Sequence, residues 1–150
     1  MTIWVDADAL PGEIKEIILR AAQRLKIPTV LVANKQLALR PSVLVSMIRV
    51  GQGADVADAY IVANSVAGDF CVTADIPLAA QLVVKGLVVL DPRGDHYSAS
   101  NVHERLAIRD FMKDLRDAGI ATGGPSAYGP KVKQKFAALL DRLLTQASRR

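Results

Sequence analysis

The sequence predicts an α/β domain, a three-layer sandwich with a mainly parallel central sheet between helices, and three observations predict it. Short apolar runs, "TIWV", "TVLVA", "FCVT" and "LVVL", are rich in β-branched residues and too short to be helices. Between them lie stretches with apolar residues at helical spacing, and proline and glycine mark the joints. The runs are continuous because a strand covered on both faces needs no polar side.

The elements follow in order. Thr2 to Val5 reads as the first strand and leads into Asp6 and Asp8. In "PGEIKEIILRAAQRLK", Pro11 suits a first helical turn, Glu13 and Glu16 favour its positive end, and Ile14, Ile17, Ile18, Ala21 and Leu25 form one stripe. "TVLVA" is the second strand, and "SVLVSMIRV" suggests a third beyond a polar turn with Lys35 and Arg40. "ADVADAYIVANSVA" reads as a helix with Asp55 and Asp58 on one face, ended by Gly68 and Asp69 before "FCVTAD". "PLAAQLVVKG" is a short helix closed by Gly86, and "LVVL" is the next strand. Residues 91–101 read as a loop, and a helix follows over 102–118, its Leu106, Arg109, Phe111, Met112 and Leu115 dividing packing from charge. "GIATGGPSAYG" breaks the pattern, and a last helix is expected from Pro130 to Leu144.

With 150 residues the chain is expected to form one domain, 1–150, with one main cleft. Its hydrophobic content of 51% against 23% charged residues excludes disorder. No apolar stretch is long enough to span a membrane and no basic leader precedes the first strand, so the cytoplasm is the expected location. Cys71 has no second cysteine to pair with and reads as a core residue. His96 and His103 have no zinc-like spacing to it. A formal charge of +4 suits an anionic partner. The basic excess near the C-terminus, from Lys131 to Arg150, serves equally as a solvated face.

Function is expected at the carboxylates. In a parallel sheet the carboxyl ends of the strands share one edge, where ligands bind. Asp6 and Asp8 follow the first strand and Asp75 follows "FCVT", so both groups are expected at that edge, with the helix holding Asp55 and Asp58 over it. Period two along an extended chain would point Asp6 and Asp8 the same way. Converging carboxylates repel unless a cation lies between them, and Mg²⁺ or Mn²⁺ is the natural candidate. Asp6, Asp8, Asp58 and Asp75 are the catalytic candidates, and Asp6, Asp55, Asp58 and Asp75 the metal ligands. Asp8 and Asp75 can equally serve as caps for the helices that follow them. Asp69 and Thr73 are candidates for support or phosphate contact, as are Arg93, Arg105, Arg109, Lys131 and the turn Thr122, Gly123 and Gly124.

"WVDADALP", "GADVADAYIV", "GDFCVTADIPLAA", "LDPRG", "RDFMKDLRDAGIATGGP" and "KFAALLDRLL" span nearly the whole chain and resemble the YaiI/YqxD family of small bacterial proteins. That family is similar in fold to PIN-like nuclease domains, which carry acidic residues around divalent metal. The resemblance implies that Asp6 is the acid after the first strand, Asp75 the acid after the later central strand, and Asp55 or Asp58 the intervening helical acid. The family's usual cysteine after "DADA" is replaced by Leu10. The leading expectation is a divalent-metal-dependent nuclease acting on RNA rather than DNA. One alternative is a haloacid-dehalogenase-like phosphatase with Asp6 as nucleophile, Asp8 as acid/base, and Thr73 and Lys85 in support. Another is a non-catalytic module that binds RNA, another phosphate-containing ligand, or a protein. Oligomeric state is left open.

Overall fold

Residues 1–53, 55–121 and 128–149 are described by a computed structural model of the chain. Among the described residues, six strands form one sheet: β1 (Ile3–Asp6), β2 (Thr29–Ala33), β3 (Val45–Arg49), β4 (Phe70–Val72), β5 (Val88–Asp91) and β6 (Asp95–Tyr97). Their spatial order is β3-β2-β1-β4-β5-β6, parallel throughout except for the antiparallel β6. The helices are α1 (Gly12–Leu25), α2 (Val56–Asn64), α3 (Ile76–Lys85), α4 (Val102–Asp117) and α5 (Pro130–Ser148).

Strand parity divides the core in two. Ile3, Val5, Leu31, Ala33, Phe70, Val72 and Leu90 face α1 and α5, where Ile14, Ile18, Phe136 and Leu140 close the layer. Trp4, Val32, Cys71 and Val89 face the other way, against Ile61 of α2, Leu78 and Leu82 of α3, and Val102 of α4. These are the two helical layers expected from continuously apolar strands. Cys71 is fully buried, and Leu10 packs into the first cluster with 5% exposure, an apolar packing position.

β1 is central. From it the chain winds outward through β2 to β3, then crosses back to place β4 on the other side. This reversal opens a crevice outside the carboxyl ends of β1 and β4, the place where open α/β sheets bind ligands.

Several local expectations need correction. Residues 91–101 contain β6, because Asp91-Pro92-Arg93-Gly94 forms a tight turn, closed by the Gly94 N–H on the Asp91 carbonyl at 3.0 Å, that returns the chain antiparallel. Gly94 has φ 91°, and a side chain there would meet the α5 backbone, with Phe136 N at 2.9 Å. The first strand runs one residue beyond Val5 to include Asp6. Pro11 caps α1 rather than entering its first turn. α2 spans only Val56–Asn64, with Asp55 at its N-cap, because Ser65 turns extended before Gly68 is reached. α5 continues past Leu144 to Ser148. Phe111 of α4 does not pack in the core; it is 61% exposed. The expected turn at Thr122, Gly123 and Gly124 lies outside the described residues.

Candidate active site

Asp6 ends β1 on the same side of the sheet as Trp4, and Thr73 continues β4 on the same side as Cys71. Neighbouring strands in register therefore bring them together, and the Thr73 hydroxyl donates to Asp6 Oδ2 at 2.8 Å. Thr73 Oγ1 also accepts the Asp75 N–H at 3.0 Å, and Asp75 Oδ1 caps α3 by accepting the Leu78 N–H at 3.0 Å. One chain of donors thus orients two carboxylates at the crevice. Asp75 both caps α3 and lines the crevice, so capping does not remove it from the acid group.

Asp6, Asp8, Asp58 and Asp75 line one cavity of about 320 Å³, together with Asn34 and residues of the 50–57 segment. Three separate pieces of backbone supply these acids: the end of β1 with the turn after it, α2, and the junction between β4 and α3. Period two does not relate Asp6 to Asp8, because the chain leaves β1 at Asp6 and coils into a short 3₁₀ turn, Ala7–Ala9. Asp6 is consequently buried, at 7% exposure, whereas Asp8 is exposed and accepts the Asn34 backbone N–H at 2.8 Å. Asn34 was not among the sequence candidates. Its position immediately after β2, beside the end of β1, was the signal that could have found it.

The electrostatics are those of crowded acids. Burial pushes the Asp6 carboxyl above its usual range; the Thr73 hydroxyl opposes this, while Asp75 and Asp8 add repulsion. Asp58 is pushed up to about 7, first by burial and then by the charge of Asp75, with which its side chain shares a hydrogen bond, and by Asp6 and Asp55. Asp58 therefore holds a proton against Asp75 near neutrality.

A raised carboxyl pKa has a defined sign in stability. The folded chain holds the Asp58 proton while the unfolded chain has released it, so stability falls as pH rises from about 4 to about 7. Asp58→Asn is expected to melt at the same temperature as the parent near pH 4. It should melt progressively higher as pH approaches 7, with a constant gap above that. Thermal unfolding followed across this range checks it; a gap that does not change with pH would remove the repulsion from the account.

Other sequence candidates lie elsewhere. Asp55 contributes charge to Asp58 but does not line the cavity. Asp69 sits at the opposite edge of the sheet, where its carboxylate accepts from Thr2 N, Trp4 Nε1 and Val66 N, each at 3.0 Å. Arg93 lies over the Tyr128 ring, 4.3 Å from its centroid. Arg105 pairs with Asp95 at 3.0 Å, Arg109 pairs with Asp110 on its own helix, and Lys131 is exposed in the first turn of α5. None of these four lines the acid cavity. Lys85 donates to the Val62 carbonyl from the far end of α3, away from Asp75, so the phosphatase reading lacks its lysine at the site.

The donor chemistry of the pocket suits a hard cation, since only carboxylate and amide oxygens and mutual repulsion are on offer. No preformed cage is present: among the described residues, no group of three or more His, Cys, Asp or Glu side chains is arranged to hold a metal ion. The bond between Asp58 and Asp75 directs their oxygens at each other instead.

A mostly parallel sheet between helices, with acids gathered at its topological switch point, defines a class, the α/β proteins with a crevice at the strands' carboxyl edge. Within it, the chain belongs to the uncharacterised BCR, YaiI/YqxD family, whose model matches residues 4–146; no catalytic activity is established for that family. It is 55% identical over 146 residues to a UPF0178 protein of Myxococcus xanthus, covering 97% of this chain and 95% of that one. It is likewise 55% identical to one from Dechloromonas aromatica, covering 97% of both, and 52% identical over 149 residues to one from Trichlorobacter lovleyi, covering 99% and 97%. No solved structure matches the chain. Among the described residues, no helix is long and apolar enough to cross a membrane.

Proposed function

We propose that the acid cavity is the centre of a divalent-metal-dependent phosphodiesterase, acting on RNA in preference to DNA. The observation that carries this reading is the convergence of Asp6, Asp8, Asp58 and Asp75 from three segments on one cavity at the switch point. The PIN-like resemblance of the sequence motifs and the +4 charge of the chain agree with it.

Asp6 and Asp75 would hold Mg²⁺ or Mn²⁺, with Asp58 joining them once its proton is lost and Asp8 reached through water. A cation bound there supplies charge to a phosphoryl oxygen and acidifies a bound water. The chain's own contributions are visible. Thr73 fixes Asp6 by its hydroxyl and Asp75 by accepting its N–H, so neither has to be ordered when ligand arrives. The N-terminus of α3, capped by Asp75, turns its positive end toward the same edge and favours an anionic substrate.

The test is cleavage of mixed RNA and DNA substrates with Mg²⁺ or Mn²⁺ by the parent and by Asp75→Asn. Asparagine also caps helices, so this substitution removes charge without removing the cap. Metal-dependent cleavage of RNA that Asp75→Asn abolishes supports the reading. Cleavage of equal rate in both proteins overturns the site, and salt-sensitive RNA binding with no cleavage by the parent supports a binding module instead.

A further inference from the structure

A second concavity, of about 980 Å³ against about 320 Å³ for the acid cavity, lies along α1. One wall is the helix face that carries Lys15, Glu16, Leu19, Arg20 and Gln23, spaced three or four residues apart. The other is the chain over residues 37–42, between β2 and β3. It is held in place where Gln23 Nε2 donates to Ser42 Oγ at 2.7 Å and the Leu37 N–H meets Met47 Sδ at 3.3 Å. The floor is aliphatic: Leu19, Leu37, Leu39 and Val45 are half-buried and pack against the first core cluster.

This groove begins at the acid cavity. α1 starts at the carboxyl edge of the sheet and runs toward the opposite edge, and so does the chain from Asn34, just after β2, to Val45, which opens β3. At the upper end Lys15 Nζ donates to the Ala7 carbonyl at 3.5 Å, and the next two residues, Asp8 and Ala9, line the cavity. On the facing wall Asn34 lines the cavity and Leu37, three residues on, lines the groove, with the exposed Lys35 between them. Among the described residues Lys15, Lys35 and Arg40 make no ion pair, and Glu16, the acid of the lining, is held by Arg20. Cations therefore stand at the head of the groove and along its outer wall, above an apolar floor.

We propose that this groove carries a single-stranded polynucleotide to the acid cavity, with its phosphates on Lys15, Lys35 and Arg40 and its bases against the aliphatic floor. The proposal rests on the phosphodiesterase reading of that cavity. In a duplex the bases are already paired and stacked, which leaves nothing for an apolar floor, whereas a single strand presents open base faces beside its phosphates. The floor holds no aromatic ring, so binding is expected to be indifferent to sequence and dominated by phosphate contacts. An acidic peptide would meet the same cations, but only a polynucleotide delivers a phosphodiester to a cation held among the acids at the groove's end.

The test is fluorescence anisotropy of a short, mixed-sequence RNA, single-stranded or annealed to its complement, with the full chain in EDTA, where metal-dependent cleavage is silent. The single strand should bind more tightly than the duplex, and three phosphate contacts should give a slope of log K against log salt of about −2. Arg40→Ala should weaken binding about 5-fold and flatten that slope by about 0.7, while Arg116→Ala, on the exposed face of α4, should change neither. A photocrosslinker on Ala38→Cys, at the groove's lip, should capture the strand, one on Ala107→Cys of α4 should not, and the buried Cys71 stays silent. Duplex bound as tightly as single strand, equal losses in the two arginine variants, no capture at position 38, or binding of poly-glutamate but not RNA would each overturn the groove. The two readings fail separately. Strand binding that Arg40→Ala weakens, with no cleavage once Mg²⁺ or Mn²⁺ is added, removes the phosphodiesterase and keeps the groove; metal-dependent cleavage with binding indifferent to Arg40→Ala does the reverse.

Discussion

Asp6→Asn is expected to lower metal-dependent phosphodiester cleavage by about 100-fold or more while leaving the melting temperature unchanged or raised. The two readouts move apart for one reason. Asparagine keeps the shape and still accepts the Thr73 hydroxyl through its amide oxygen, so the buried polar contact at the end of β1 survives. What disappears is a charge whose carboxyl is already pushed upward by burial and by repulsion from Asp75 and Asp8. Since the folded pKa is raised, the ionised form costs stability as pH climbs above the ordinary carboxylate range, and the variant escapes that cost. A loss of activity of about 100-fold corresponds to about 2.7 kcal/mol of transition-state stabilisation. Steady-state cleavage and calorimetric melting, measured on the same preparation at pH 8, decide the matter. Parallel falls in activity and melting temperature would make Asp6 structural, and no fall in activity would sink its assignment.

Asp69→Ala carries the largest expected effect on stability, about 4 kcal/mol, from the loss of acceptors for three donors. Asp69 is 4% exposed, and its two oxygens bind the Thr2 and Val66 amides and the Trp4 indole N–H. Alanine leaves those donors without a partner in a nearly dry pocket, which costs more than the bonds themselves contribute. Against a typical total of about 5–15 kcal/mol, the loss brings a protein of this size close to unfolding in mild denaturant. Asp69→Asn keeps one acceptor oxygen and should fall between the two. The chain's single tryptophan is the reporter: Trp4 emission in the native state should shift to longer wavelength as its indole loses its partner. Denaturant midpoints equal to the parent's would show that the three bonds contribute nothing net.

The fold class was legible because continuous apolar strands and amphipathic helices alternate along the chain, a pattern that tertiary packing reinforced. β6 was hidden because "DHY" is a three-residue edge strand without an apolar run; only the Asp-Pro-Arg-Gly turn before it carried a signal. At the site, Asp6 and Asp75 could be read from their places after strands, and Asp58 from its helix. Their separate fates could not. Whether an aspartate at an edge is buried against Thr73 or turned outward toward Asn34 depends on where β1 gives way to a 3₁₀ turn, which is set by packing of Ala7 and Leu10 into the core. Asp69 shows the converse. Its acidity suggested support for the site, yet it follows Gly68 at the start of β4, and the start of a parallel strand belongs to the opposite edge. The arginines were ambiguous for a related reason, since long side chains on α4 and the 91–94 turn have local partners in Asp95, Asp110 and Tyr128.

The central position of β1 has a consequence for how the protein comes into being. Its two neighbours, β2 and β4, are separated by some forty residues, and the donor that orients Asp6 is sixty-seven residues away along the chain. A ribosome that has released the chain only through β3 has therefore made β1 with one side unpaired and half a crevice. The acid crevice forms in one step, when the segment around residues 70–75 docks, and no fragment short of it brings Asp6 against Thr73.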